Sequence, residues 1–185
     1  MHIPHTKRLS FHFVTLDDAE FLWSVDQDEA VMKYINGGKK TSMETIREQF
    51  IPRIRAFSDE LKGWGLWRVS ALESPQEDLG WILVRPFGFF TGERDDNNLE
   101  LGWRFHRNTW GKGIATEAAA QVKQALYVNG TNQFSAIALP DNKASVNVME
   151  KLGMTFSHRY LYSDAVFNDE VVVYRQTLLP AKPVC

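Results

Sequence analysis

The sequence predicts an α/β (α+β) protein: a central mixed, mostly antiparallel sheet with helices on both faces. Three observations predict it. The segments WGLWRVSAL, LGWILVRP and NLELGWRF, which follow Gly63, are rich in aromatic and branched residues and are separated by polar, Gly- or Pro-containing connections. They read as consecutive antiparallel strands. Upstream of them, apolar residues recur three and four apart, the period of a helix buried on one side. Downstream, helical and extended patterns alternate, which lays helices against the sheet.

Taken in order, residues 9–16 alternate loosely between apolar and polar types and form an opening strand. Asp17 or Asp18 then caps a helix carrying Phe21, Leu22 and Val25. Thr41 followed by Glu44 fits a capping box, and Met43, Ile46, Phe50, Ile54, Phe57 and Leu61 describe one buried stripe of a long helix. Pro52 lies inside that stripe; it lacks an amide donor and crowds the preceding turn, so a bend is expected near Ile51. The stretch GERDDNN between the second and third strands is charged and turn-prone, an exposed, mobile loop that could border a substrate site. A helix from about Ile114 to Val128, a strand FSAIAL, a short helix from about Lys143 to Leu152 and two closing strands complete the order. Residues 179–185 are expected to form a loose tail, and the absence of repeats or linker-like shifts in composition predicts one domain over 1–185.

Composition narrows the function classes. With 44% apolar residues the chain can fill a core. The near balance of 21 Lys+Arg and 23 Asp+Glu argues against a nucleic-acid or membrane partner, since neither polyanion would meet a basic surface. The sole cysteine is the last residue, Cys185, so no intrachain disulfide forms and acyl transfer would run without an interior thiol nucleophile. The N-terminus, MHIPHTKRLSF, lacks the apolar core of a signal peptide, and no segment approaches membrane-spanning length. A cytoplasmic location is expected.

The chemistry concentrates in WRFHRNTWGKGIATEA, residues 103–118, where a strand runs through two closely spaced glycines into a helix. Gly111 and Gly113 let the backbone approach a ligand, and the first helical turn offers unpaired amides and a partial positive charge. Such a loop favours phosphate oxygens, and Lys112 adds a formal charge. Neither the Walker spacing nor GxGxxG is present, which counts against ATP and NAD.

WGKGIATEA resembles the acyl-CoA-binding loop of the GCN5-related N-acetyltransferases (GNAT), in particular their RimJ/RimL-like branch. LPDNKASVNVMEKLGMTF resembles that branch's strand-end asparagine, following serine, short helix and closing turn; TKRLSFHFVTLDDAEFLW and QDEAVMKYI resemble its N-terminal arm. The resemblance implies the GNAT fold, a twisted sheet that splays at the acyl-CoA site. It also implies an N-acetyltransferase that moves an acetyl group from acetyl-CoA to a primary amine, on a protein N-terminus or a small molecule, by direct transfer in a ternary complex without a metal. On this analogy Gly111, Lys112, Gly113, Ile114, Ala115 and Thr116 hold the pyrophosphate, mostly through main-chain donors. Trp103 and Phe105 lie on the strand that pairs with the pantetheine arm, and Asn142 and Ser145 contact the cofactor from the next strand and helix. Asn108, preceded by Arg107, stands where the family usually has Gln or Arg. The resemblance leaves room for a homodimer.

Acetylating an amine requires removing a proton from a group of pKa about 10 for lysine or about 8 for a terminal amine. Glu100, on the strand leading into the loop, is the first candidate base, directly or through water; Asp164 and His106 are alternatives. Equally, Glu100 could pair with a neighbouring cation on the sheet. The thiolate of coenzyme A needs a proton donor, and where many relatives place a tyrosine this chain has Met149. Ser145 is the replacement candidate, unless it or Asn142 merely caps the helix. The missing tyrosine also permits a different class, a non-catalytic acyl-CoA-binding module. Glu93, Asp95 and Asp96 would suit a polycationic acceptor if they bordered the site, and a solvated loop if they did not.

Overall fold

The computed structural model describes residues 1–179, so the expected loose tail lies, apart from Leu179, outside the described residues. Strands β1 (Leu9–Phe13), β2 (Gly65–Ala71), β3 (Asp78–Phe87), β4 (Asp95–Phe105), β5 (Gln133–Ala138), β6 (Thr155–Ser163) and β7 (Asn168–Thr177) form one sheet in the order β1-β2-β3-β4-β5-β7-β6. Every pairing is antiparallel except β4 with β5. Helices α1 (Ala19–Val25), α2 (Glu29–Asn36), α3 (Met43–Thr45) and α4 (Ile51–Phe57) precede β2; α5 (Ile114–Val128) and α6 (Lys143–Lys151) flank β5.

Alternation along the strands divides the core in two. Trp67, Val69, Ile82 and Val84 join a cluster with Ala118, Ala119, Val122 and Leu126 of α5 and Met149 of α6. Their neighbours Leu66 and Trp81 point the other way, into a cluster with Phe21, Leu22 and Val25 of α1, Val31 of α2 and Ile46. Helices therefore cover both faces, as the period-two strands require. The alanines of α5 let that helix sit close to the sheet.

The entry to the N-terminal helices differs from expectation. Thr15 caps a 3-10 turn over Leu16–Asp18, with Asp18 returning its carboxylate to the Thr15 amide at 2.7 Å; Asp18 does stand at the N-cap of α1 but makes no side-chain cap bond there. At α3 the cap is Ser42, whose hydroxyl accepts from the Thr45 amide at 3.0 Å. Thr41 is drawn away because its hydroxyl donates to the buried carboxylate of Asp26 at 2.7 Å, an interaction worth more in a dry interior than a cap in water. The expected long helix is interrupted by a π-helical turn over Ile46–Phe50, and Pro52 falls in the first turn of α4, where its missing donor costs least. The backbone stays helical through Phe50 and Ile51, the helix ends at Phe57, and Leu61 is 89% exposed rather than part of a buried stripe.

Candidate active site

β4 and β5 pair only at Asn98↔Gln133, Leu99↔Phe134 and Glu100↔Ser135. β4 nevertheless continues to Phe105, held on its other edge by β3, and β5 continues to Ala138. The strands part beyond Glu100. The closed end is tied by the Ser135 hydroxyl, which donates to the Asn98 side-chain oxygen at 2.9 Å, both groups buried. Strand amides alternate between edges, so some of those on Leu101–Phe105 face β5 with no ladder partner there. A cavity of about 1230 Å³ opens at this point, bounded by the loop before α5, the start of α6, β3, β4, α2 and α4.

The loop has the geometry that its glycines predict. Gly111 and Gly113 both have φ of +75°, a region costly for other residues. A Cβ on Gly111 would meet nothing within 4 Å, and one on Gly113 would meet only Arg8 Nη2 at 3.9 Å, so the space above both is open. The first intrahelical bond runs from the Glu117 amide to the Gly113 carbonyl at 3.0 Å, which leaves the amides of Ile114, Ala115 and Thr116 without an intrahelical acceptor. Arg8, which sequence reasoning missed, braces the turn: its guanidinium donates to the Lys112 carbonyl at 3.3 Å and to Glu117 at 2.5 and 2.8 Å. Burial works to raise the Glu117 carboxyl, but Arg8 and the Thr6 hydroxyl outweigh it and hold the group below its ordinary pKa.

Of the residues proposed from sequence for the cofactor, Trp103, Phe105, Gly111, Gly113, Ile114, Ala115, Thr116, Asn142 and Ser145 line the cavity. Asn108 and Lys112 do not: both are exposed, Asn108 on a 3-10 turn over Arg107–Thr109 that carries its side chain off the wall, and Lys112 outward from the loop. The α6 cap is Asn142, whose side-chain oxygen accepts from the Ser145 amide at 3.2 Å. The Ser145 hydroxyl is therefore free of the capping role and has no hydrogen-bond partner among the described residues. Met149 is wholly buried in the core.

The candidate bases are placed less favourably. Glu100 is 3% exposed and forms a bidentate pair with Arg85, at 3.0 Å from Nε and 2.8 Å from Nη2; Arg85 lines the cavity and Glu100 does not. This is the sheet pairing weighed against the catalytic role. Asp164 lines the cavity but accepts from Arg53 at 2.7 Å, the Tyr162 hydroxyl at 2.9 Å and the amides of Val166 and Phe167 at 2.8 and 2.9 Å. Burial pushes its pKa up, yet these four donors overcome that and hold it below the ordinary carboxylate value, the wrong direction for a base near neutrality. His106 lies off the cavity; burial lowers its pKa against a smaller opposing pull from Asp78. The hydroxyl of Tyr162, on the wall, is pushed up to about 12 by burial first, with Glu100 and Asp164 adding to the rise and Arg85 opposing it. Glu93 and Asp95 border a separate hollow beside Arg175, and Asp96 pairs with Arg94, so the acidic stretch does not face the cavity. Arg53, Arg85 and Tyr162 are wall residues with no signal in sequence, since each acquires its role through partners distant in the chain.

Comparison with known proteins agrees with this geometry. Residues 8–155 match the Acetyltransferase (GNAT) domain family. The chain is 26% identical over 154 residues to uncharacterized N-acetyltransferase p20 of Bacillus licheniformis, covering 82% of each chain. It is 29% identical over 155 residues to uncharacterized N-acetyltransferase YnaD of Bacillus subtilis, covering 83% of this chain and 82% of the other. Among solved structures, a GNAT-family acetyltransferase from Bacillus anthracis superposes with a TM-score of 0.73 at 22% identity, over 96% of this chain and 98% of that one. RimL, an L7/L12 alpha-N-protein acetyltransferase solved with coenzyme A, superposes at 0.72 with 14% identity over 95% and 97%. These two likenesses are of fold. The family match runs from Arg8, which braces the loop, through the whole β4–β5 opening to the strand after α6, and on that ground the chain belongs to the GNAT acetyltransferases, a family of acyltransferases.

Proposed function

We propose that the chain binds acetyl-CoA in the β4–β5 opening and transfers the acetyl group directly to a primary amine in a ternary complex. The observation that carries this reading is the end of β4–β5 pairing at Glu100↔Ser135, followed by a glycine loop whose amides are free and whose surface is open. The diphosphate lies against the amides of Ile114, Ala115 and Thr116, where the helix dipole and unpaired donors favour it. The pantetheine arm follows β4 past Phe105 and Trp103, using strand amides that β5 leaves unpaired, and Asn142 flanks it. This brings the thioester to the closed end, where a β4 amide stabilises the carbonyl oxygen as it gains charge.

The amine nitrogen attacks the thioester carbon, the carbon–sulfur bond breaks, and the thiolate leaves with the bonding pair. Ser145, with a free hydroxyl on the wall, donates its proton to that thiolate and takes up in exchange, through water, the proton that the amine releases. Among the described residues Asp164 is the one carboxylate on the cavity wall and is fully engaged, so the amine gives up its proton to water rather than to a carboxylate. Calorimetry with acetyl-CoA on the wild type and Gly113→Trp, joined to thiol-release assays over a panel of amines, tests the proposal. The wild type binds and turns over, while the indole fills the open space above Gly113 and abolishes binding. Unchanged affinity in the variant would place the cofactor elsewhere.

A further inference from the structure

Resting on that reading, we infer that the acceptor amine carries a carboxylate of its own, bound by Arg53 and Arg85 beside Phe90. Among the described residues, the cavity wall holds seven lysine and arginine side chains and a single carboxylate, Asp164. That carboxylate already receives four donors, so a second cationic group on the acceptor would find no free anion to pair with. The arginines are in the opposite condition. Arg85 spends Nε and Nη2 on Glu100 and Tyr162, Arg53 spends Nη2 on Asp164, and the remaining N–H groups of both have no partner among the described residues.

Both guanidinium groups stand over one aromatic ring: the Arg53 and Arg85 centres lie 3.9 and 5.5 Å from the Phe90 centroid. Each is also fixed by a salt bridge, with side-chain exposures of 24% and 12%, so the unused donors are oriented before a ligand arrives. Because each arginine is neutralised by its own partner, selection comes from these oriented donors rather than from net charge. Planar, paired N–H groups are the match for a carboxylate.

Position separates this site from the cofactor's phosphates. Arg85 is in register with Glu100, at the closed end where the thioester is placed, whereas the glycine loop begins beyond Phe105, five residues or roughly 16 Å further along the strand. The anion site therefore serves the acceptor. The aromatic and aliphatic side chains between, Phe50, Ile54, Leu83 and Phe90, suit the apolar body of an amino acid.

The test compares α-amino acids with the matching α-amino amides as acceptors, in the wild type, Arg53→Gln and Arg53→Lys. The wild type is expected to favour the acids in kcat/KM, with the acid-to-amide ratio falling by about tenfold or more in Arg53→Gln and less in Arg53→Lys. Taking the ratio between proteins cancels the lower basicity of the amides. In parallel, calorimetry on the coenzyme A-saturated protein compares N-acetyl amino acids with N-acetyl amino amides, and the acids should bind at least about tenfold tighter. If amides, or diamines without a carboxylate, are acetylated as well as acids and the ratio is unmoved by Arg53→Gln, the anion site is wrong while acetyl transfer stands. If no amine is acetylated but the N-acetyl acids bind and lose affinity in Arg53→Gln, the transfer reading fails and the anion site remains.

Discussion

At Glu100, burial decides between two roles that the sequence leaves open. A carboxylate 3% exposed and held at two points by Arg85 is committed to a buried ion pair, and removing it leaves a buried guanidinium unpaired. Glu100→Ala is therefore expected to destabilise the fold by about 3–5 kcal/mol, the usual cost of removing one member of a buried pair. Urea denaturation measures it, and a variant of native stability that is nevertheless inactive would restore the carboxylate as the base. Ser145 presents the contrary case, a hydroxyl with no structural bond to lose. Ser145→Ala should leave stability within about 0.5 kcal/mol and lower kcat while acetyl-CoA affinity holds. Equal losses in both, or in neither, would remove the proton-donor role.

Among the elements, α6 shows how a cap positions a candidate proton donor. Asn142 satisfies the Ser145 amide, and through it fixes the first turn that sets the serine at the wall. Asn142→Ala should cost about 1 kcal/mol, read as a fall in Tm of roughly 2–4 °C for a chain of this size. No change in Tm would mean that the turn is held by packing instead. How far such elements are legible in the sequence depends on the range of the interactions that define them. The three middle strands, α5 and the glycine loop follow from patterns within a dozen residues, although β4 begins at Asp95, so that Asp95–Asn98 of the stretch expected to be an exposed loop belong to the strand. The cap at Ser42 departs from expectation because the bond that draws Thr41 away, to Asp26, crosses 15 residues, whereas the Thr15–Asp18 box is local and within reach of the sequence pattern. The pair between Arg53 and Asp164 spans 111, so neither periodicity nor spacing carries any trace of it. The glycine loop itself is local and legible, but its brace at Arg8 and the wall formed by Arg53 and Arg85 are assembled from distant partners and are not.

At the scale of the whole molecule, two carboxylates tie remote parts of the chain together. Asp164 joins the β6–β7 turn to α4 through Arg53, and Glu117 joins α5 to the N-terminal segment through Arg8 and Thr6. Both have pKa values held below their unfolded ones. A group depressed in the folded state binds its proton more readily when unfolded, so its contribution to stability is complete above the ordinary carboxyl pKa and is lost as pH falls through the folded value. Resistance to urea should accordingly decline between about pH 5 and pH 2. Asp164→Asn is the control that assigns the effect: its amide cannot titrate, so the variant starts less stable at neutral pH and falls less steeply on acidification. Glu117→Gln should flatten a further part of the slope, and because the two sites share no partner their effects should add. Identical slopes in the wild type and both variants would show that other carboxylates govern acid unfolding and that these two ties are weaker than their geometry implies.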